Sequence, residues 1–306
     1  MGRRQPLEPA EIAATVAALG RQVGLDPRGA ELIKFTNNAV LRLPHAGVVL
    51  RIAGSAVIGA RVAQVVFAAQ LFTRYEVATV RLWPGSRSPM IVREHEITIW
   101  DDIPTLRPPD ADDLAGLLRA VHAVPVESAE VRAWDPITGI RQRLETAADL
   151  GPDVLGFLEA ECVAVAAELL ELDTVEPLLP RGLVHGDAFL GNVIVGPNGP
   201  VLCDFDSTSW GPREWDLTPV AVGARRFERG AERQRRMVIG YGVDVTEWKG
   251  FRALRRLREL QLVTSVLPVL GANPALRPQW RLRLDSLRRR DTEAQWTPYA
   301  VGPRPG

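Results

Sequence analysis

The chain has 306 residues, of which 46% are apolar and 24% charged, values that are ordinary for a globular protein with one large domain or two lobes. Basic and acidic residues number 37 each, so no global field would attract nucleic acid or a membrane surface. No run approaches the roughly 18 apolar residues of a membrane span, and the N-terminus lacks the apolar core of a signal peptide. Two cysteines far apart in apolar runs indicate free thiols, so we expect a cytoplasmic protein.

Short strands and two helices are predicted for the first hundred residues. The spacing of apolar residues predicts helices over 8–22 and 56–74. Strand-like runs occupy 32–36, 39–43, 48–52, 90–93 and 97–100. Five strands and a helix would form a small N-terminal lobe.

The rest of the chain is predicted to be mostly helical. Residues 101–104, Asp-Asp-Ile-Pro, interrupt the pattern, and we expect the lobe boundary there. Helices are predicted at 111–124, 152–172, about 228–241, 247–270 and 278–290.

The stretch 183–206 carries the polar residues with the most informative spacing. Its apolar runs 193–195 and 201–203 are joined by Gly-Pro-Asn-Gly-Pro, which predicts a β-hairpin. The hairpin would bring Asn192 close to Asp204, and amide and carboxylate oxygens can share a magnesium ion. Asp187 lies five residues before Asn192, within reach of a substrate hydroxyl.

Three short motifs lie between residues 185 and 217. The first is His-Gly-Asp at 185–187, followed after four residues by Asn192. The second is Asp-Phe-Asp at 204–206, and the third is Gly-Pro-Arg-Glu-Trp-Asp-Leu at 211–217. Together these motifs resemble the catalytic core of the aminoglycoside phosphotransferase and choline kinase family, and protein kinases use a similar set of parts.

The resemblance implies an α+β, bilobal, protein-kinase-like fold. Residues 1–100 would form a small nucleotide-binding lobe with an antiparallel sheet. Residues 101–306 would form a larger, mainly helical lobe that is catalytic and binds the acceptor. The protein would use ATP and Mg²⁺ to phosphorylate a hydroxyl of a small molecule.

The resemblance also implies roles for the acidic and amide residues. Asp187 would be the catalytic base or the group that orients the hydroxyl, and its position matters more than its basicity. Asn192 and Asp204 would hold magnesium. Asp206 would be a second metal contact or a hydrogen-bond anchor.

Two further residues would support the catalytic loop. His185 would bond to backbone near Asp204 and fix the loop. Asp216 would accept N–H bonds from the loop, or alternatively cap the helix that begins there. We interpret His122, one position past an apolar stripe, as a packed structural histidine.

The nucleotide site departs from the kinase pattern at two positions. Arg51 stands where kinases carry a phosphate-binding lysine; it keeps the charge and changes the geometry. Gln64 replaces the helix carboxylate that pairs with that lysine, and could hydrogen-bond to a guanidinium.

The remaining nucleotide contacts are predicted from backbone and turn positions. Asn37 and Asn38 lie between the first two strands, as phosphate contacts or as plain turn residues. Adenine would contact backbone groups between Trp100 and Ile103, whereas the ring of Trp100 itself is better explained as a core aromatic.

Three functions are compatible with these motifs. A small-molecule kinase is favoured by the complete set of Asp187, Asn192 and Asp204. A weak or inactive nucleotide- or metabolite-binding regulator is the alternative, suggested by Arg51 and Gln64. A protein kinase is disfavoured because only 11 residues separate Asp204 from Asp216, too few for a recognisable activation segment.

The acceptor is not fixed by the sequence, and an aminoglycoside-like antibiotic, an amino alcohol or another hydroxylated metabolite would each be compatible with it. Residues 101–180 carry 5 basic and 17 acidic side chains, net −12, which indicates either solvated helix faces or attraction of a cationic acceptor such as an aminoglycoside. Arginine-rich helices near the C-terminus weaken the second interpretation. A small-molecule acceptor is expected, without a nucleic-acid or membrane partner, and no oligomeric state is predicted.

Overall fold

The computed structural model describes residues 7–35, 38–147, 149–228 and 230–299. The chain divides into two compact units, one formed by Met1–Pro109 with Gly191–Thr208 and the other by Asp110–Leu190 with Ser209–Gly306. In this division the first unit continues past residue 100 to Pro109 and also contains the hairpin that follows the His-Gly-Asp motif. The assignment of nucleotide to one part and acceptor to the other stays a prediction.

The first unit is built on a five-stranded antiparallel sheet in the order β1-β2-β3-β5-β4, which confirms the predicted sheet. Two helices accompany it. Its elements are α1 (Pro9–Val23), β1 (Glu31–Phe35), β2 (Asn38–Leu43), β3 (Val48–Ala53), α2 (Ala56–Arg74), β4 (Met90–Val92) and β5 (His95–Asp101).

Alternating apolar residues give the sheet a buried face. Leu50 and Ile52 of β3 and Ile97 and Ile99 of β5 are fully buried, in one cluster with Leu19 of α1. Each such side chain contributes roughly 1.5–3 kcal/mol on burial. Helix α1 ends at Gly24, which has the left-handed backbone conformation that glycine adopts readily.

A separate hairpin completes the first unit and ends at the Asp-Phe-Asp motif. Strands β7 (Val193–Gly196) and β8 (Gly199–Leu202) pair antiparallel, with Val193 opposite Leu202. The hairpin is anchored on the earlier chain, because Leu202 bridges to Thr79 and the amide of Leu106 donates to the carbonyl of Val195. The predicted hairpin is confirmed.

The second unit is mainly helical, with one short pair of strands. Short 3₁₀ turns connect several of the helices. The elements are α3 (Ala111–His122), α4 (Pro136–Glu145), α5 (Pro152–Glu171), β6 (Gly182–Val184), β9 (Ser209–Gly211), α6 (Glu214–Arg226), α7 (Gly230–Tyr241), α8 (Phe251–Thr264), α9 (Leu267–Leu270) and α10 (Arg277–Arg288).

Two details of the helical unit differ from the sequence prediction. The predicted helix 247–270 is two helices, because a proline at the start of α9 cannot continue α8. Helix α4 was not predicted, since only Ile137 and Ile140 of its ten residues are buried. In the described part of the chain, no helix has the length and apolar character needed to cross a membrane.

Candidate active site

The loop that carries the His-Gly-Asp motif leaves strand β6 and is fixed by one carboxylate of helix α6. Asp216 Oδ2 accepts the N–H of His185 at 2.7 Å, and Oδ1 accepts the N–H of Gly186 at 2.8 Å. The indole N–H of Trp215 donates to the carbonyl of Gly186 at 2.8 Å. Gly186 has φ of 86°, a left-handed conformation that favours glycine. These contacts fix the backbone immediately before Asp187.

A third partner of Asp216 comes from helix α3. His122 Nε2 lies 3.0 Å from Asp216 Oδ2, and its Nδ1 lies 2.7 Å from the hydroxyl of Tyr241 on α7. A neutral ring with the proton on Nε2 satisfies both contacts, donating to the carboxylate and accepting from the hydroxyl. Asp216 is fully buried, so the three contacts replace the water that the carboxylate loses. The sequence predicts a packed structural histidine at position 122, and its local pattern gives no sign of this bond.

The alternative role of Asp216 as a helix cap is not what the structure shows. Helix α6 begins at Glu214, with Arg213 in the N-cap position. Both carboxylate oxygens of Asp216 are engaged with the loop and His122.

Asp187 itself contacts an arginine of helix α8. Its Oδ1 accepts from Arg258 Nη1 at 2.9 Å, and the same Nη1 lies 3.1 Å from Gln261 Oε1. The Asp187 side chain is 37% exposed and that of Arg258 is 12% exposed. His185 is fully buried, and its Nδ1 accepts the N–H of Asp187 at 3.4 Å. A bond from His185 to backbone near Asp204 stays a prediction.

The first unit contains the amide and the two carboxylates expected to bind metal. Asn192 is buried, and its backbone carbonyl accepts the N–H of Cys203 at 3.0 Å, which closes the base of the hairpin. Asp204 follows with φ of 70°, a conformation uncommon outside glycine. Burial, and then the charge of Asp206, raise the pKa of Asp204 to about 6.

Arg51 on strand β3 is paired with the second carboxylate of the motif. Its guanidinium forms a close ion pair with Asp206. With the amide oxygen of Asn38 turned toward Arg51, that oxygen accepts from Nε at 3.1 Å and from Nη2 at 2.8 Å. Burial opposes ionisation of Asp206, but the charge and hydrogen bond of Arg51 outweigh it, so the pKa of Asp206 is lowered.

The other predicted nucleotide contacts have mixed outcomes. The carboxylate partner of Arg51 is Asp206, while Gln64 is exposed on helix α2. Asn38 is the first residue of β2 and not a turn residue, and Asn37 lies outside the described residues.

The predicted adenine segment begins at the end of strand β5. Trp100 is buried, and its indole N–H donates to Thr98 Oγ1 at 2.8 Å. Its ring packs edge-on against the ring of Phe205, with the two ring centroids 5.9 Å apart. Trp100 is therefore a core aromatic. Ile103 lies against Gly196 of the hairpin, where an added Cβ would come within 2.4 Å of Ile103 Cγ2. Backbone contacts to adenine stay a prediction.

Many carboxylates of the acidic region 101–180 are paired with arginines of the same unit. Glu161 on α5 accepts from Arg256 of α8 at 2.8 Å, and Arg256 also pairs with Glu168. Arg236 on α7 pairs with Asp110, at 3.1 Å, and with Asp112. The net charge of the region therefore overstates the attraction that it would exert on a cation.

Comparison with known proteins gives the same fold as the sequence motifs. The Phosphotransferase enzyme family, APH, matches residues 34–260. A spectinomycin phosphotransferase solved with ADP and spectinomycin is similar, at 16% identity over 93% of this chain and 95% of that one, with a TM-score of 0.57.

Two other solved structures with this fold are kinases named for different small molecules. An amicoumacin kinase is 12% identical over 95% of this chain and 98% of that one, with a TM-score of 0.67. The choline kinase of Streptococcus pneumoniae is 14% identical over 88% and 98%, with a TM-score of 0.62. No curated protein matches the sequence. The chain belongs to the APH phosphotransferase family and has the kinase-like fold of its small-molecule kinases.

Proposed function

We propose that the protein is a kinase that transfers the γ-phosphate of ATP to a hydroxyl of a small molecule, and we keep the cytoplasm as its predicted location. The observation that carries the proposal is the fixed catalytic loop, in which Asp216 accepts two backbone N–H bonds and the adjacent Asp187 is partly exposed. A carboxylate placed in this way can orient a hydroxyl for attack.

Asp187 would receive the acceptor. Phosphoryl transfer passes through a loose transition state in which positioning contributes more than base strength. The hydroxyl oxygen would form the new bond to phosphorus while ADP departs with the electrons of the broken P–O bond, and Asp187 would take the hydroxyl proton. The rigid loop supplies the orientation on which such a reaction depends.

The first unit would hold the triphosphate. Arg51 offers a guanidinium, already aligned by Asp206 and Asn38, that can donate to phosphate oxygens. Alignment by two partners reduces the side-chain entropy lost on binding. Asp206 would thus contribute to phosphate binding by orienting Arg51, a role that does not depend on metal.

The residues present fit a magnesium ion. The raised pKa of Asp204 shows that burial and the charge of Asp206 disfavour its ionised form, which is the condition that a bound divalent cation relieves. Among the described residues, no three His, Cys, Asp or Glu side chains form a metal site by themselves, so the site would use the amide of Asn192 beside Asp204, with phosphate or water oxygens. When bound, the ion would neutralise charge on the phosphates.

The experiment is a magnesium-dependent ADP-release assay over a library of small alcohols, aminoglycosides and hydroxylated metabolites. Asp187→Ala should abolish turnover and leave binding of Mg-ATP, measured by calorimetry, within about threefold, as expected for a side chain without contact to nucleotide. Asp153→Ala, at an exposed position in the first turn of α5, is the matched surface control. Unchanged turnover in Asp187→Ala would remove this assignment of the base.

The alternative is a regulator that binds nucleotide or a metabolite without turnover. The observation in its favour is the replacement of the usual lysine by Arg51 and its pairing with Asp206 instead of a helix carboxylate. It predicts Mg-ATP binding in calorimetry together with no acceptor-dependent ADP release from any member of the library.

A further inference from the structure

Arg258 differs from the other arginines of helix α8 in what it contacts. Arg255 donates to Glu259 at 2.8 Å and Arg256 to Glu161 at 2.8 Å, while Arg252 is 83% exposed and lies 3.9 Å from Glu168. Arg258 alone among these four contacts the carboxylate assigned as the base, Asp187. Its charge therefore lies where the acceptor hydroxyl must arrive.

The guanidinium of Arg258 has hydrogen-bonding capacity left after it holds Asp187. Its bonds to Asp187 Oδ1 and to Gln261 Oε1 both come from Nη1. Within the described ranges, the structure gives no hydrogen bond from Nε or Nη2 of Arg258. The N–H groups of these two nitrogens form one edge of a planar fork, the geometry that binds carboxylate or phosphate oxygens in pairs.

The surroundings do not favour a cationic acceptor at this place. An ammonium group bound beside Asp187 would lie close to the positive charge of Arg258, and like charges disfavour each other at short range. On the neighbouring helix α5, Glu161 and Glu168 are already paired with Arg256. The charges of these two carboxylates are offset by Arg256 and by Arg252, which lies 3.9 Å from Glu168, so they add little attraction for a polyamine.

We propose that Arg258 selects an acceptor that carries an anionic oxygen group, a carboxylate or a phosphate, near the hydroxyl to be phosphorylated. One edge of the guanidinium positions Asp187 and the other binds the anionic group. The proposal rests on the proposed function, because it takes Asp187 as the group that faces the hydroxyl.

The test uses acceptors in matched sets. Each set is built on one carbon skeleton and contains a hydroxy acid, its uncharged amide, the corresponding amino alcohol and a phosphate monoester of the corresponding polyol. Every compound is assayed by ADP release with Mg-ATP. Wild type should use the hydroxy acid or the phosphate ester of at least one set in preference to its amide and amine, and comparison of these two arms tells carboxylate from phosphate. Arg258→Gln should lower kcat/KM for that anionic acceptor by about 10- to 100-fold, the value of hydrogen bonds between charged groups.

Matched variants separate recognition from folding. Arg258→Lys keeps the charge without the fork and should recover part of the loss, while Arg252→Gln on the same helix should behave as wild type. The loss in Arg258→Gln should be several-fold larger for the anionic acceptor than for its amide, a difference that a general disturbance of Asp187 would not produce. Melting temperatures of all variants check the fold.

The possible outcomes distinguish failure of the proposed function from failure of the proposed acceptor class. Absence of Mg-ATP binding would overturn the proposed function, and the acceptor class with it. ADP release supported by amines or neutral alcohols but by no anionic acceptor, equal losses on acid and amide in Arg258→Gln, or nucleotide binding without turnover of any set would each reject the acceptor class while leaving the nucleotide site in place.

Discussion

The two units use carboxylates in opposite ways. In the second unit, Asp216 is fully buried and every contact that the structure gives it is a donor: two backbone N–H groups and His122. In the first unit, Asp204 and Asp206 are neighbours of like charge, and the pKa of Asp204 is raised by burial and by Asp206. Asp216 thus has its charge matched by donors of the fold, whereas the ionised form of Asp204 is disfavoured and Asp206 forms an ion pair with Arg51.

This difference separates a structural role from a binding role. A carboxylate whose donors are supplied by the fold holds those donors in place and has little left for a ligand. A carboxylate such as Asp204, whose ionised form is disfavoured by burial and by a neighbouring carboxylate, can be stabilised by a bound cation. Substitutions in the two regions should therefore affect different quantities, stability in one and ligand binding in the other.

The largest effect is expected for Asp216→Ala. It leaves the N–H groups of His185 and Gly186 without their acceptor, and each unpaired buried donor costs about 1–3 kcal/mol, so the free energy of unfolding should fall by about 2–6 kcal/mol. Chemical denaturation measures it, and Asp216→Asn, which keeps one oxygen acceptor, should lose about half as much. If Asp216→Ala unfolds with the wild-type midpoint, the contrast between the units is wrong.

Next in size is the effect of Arg51→Gln on nucleotide binding. Loss of a charged donor to phosphate should weaken Mg-ATP affinity by about 10- to 100-fold, with a small change in melting temperature. Asp206→Asn should weaken affinity less, because the guanidinium remains but loses its alignment. Arg74→Gln, at the exposed end of helix α2, is the control for a lost surface charge. Equal affinity in Arg51→Gln and wild type would show that Arg51 serves only Asp206.

The local parts of the site could be predicted from the sequence. Asn192 and Asp204 are joined by a hairpin whose register follows from two short apolar runs and a Gly- and Pro-rich turn. Such pairing is local, because it needs no contact with residues that lie far away in the chain. The five strands of the sheet could be predicted for the same reason, since each is a short apolar run that can be recognised from its own residues.

The contacts that could not be predicted join residues far apart in the chain. Arg258 is 71 positions from Asp187, His122 is 94 from Asp216, and Arg51 is 155 from Asp206. A histidine at the edge of an apolar stripe has the same local pattern whether its ring packs or donates. The arginines of α8 look alike in sequence, and only the packing of α5 and the loop around that helix decides which of them meets Asp187.

A smaller change in stability is expected for His122→Phe. The phenyl ring fills similar space but removes the donor to Asp216 and the acceptor for Tyr241. Since the two loop amides still serve the carboxylate, the free energy of unfolding should fall by about 1.5 kcal/mol, the lower end for hydrogen bonds to charged groups. Tyr241→Phe, which removes only the hydroxyl, should cost less. If His122→Phe left the free energy of unfolding unchanged, the histidine ring would contribute packing alone.

The smallest change in stability, with the opposite sign, is expected for Asp204→Asn. Without Mg²⁺ this substitution removes a buried charge beside Asp206, so the free energy of unfolding should stay the same or rise by up to about 1 kcal/mol. Magnesium-dependent turnover should nevertheless be lost. Denaturation with and without Mg²⁺, run beside Asp216→Asn, compares an Asp-to-Asn change in each unit. If both variants lost stability equally, Asp204 would be a structural carboxylate like Asp216, and the argument for a cation at the hairpin would fail.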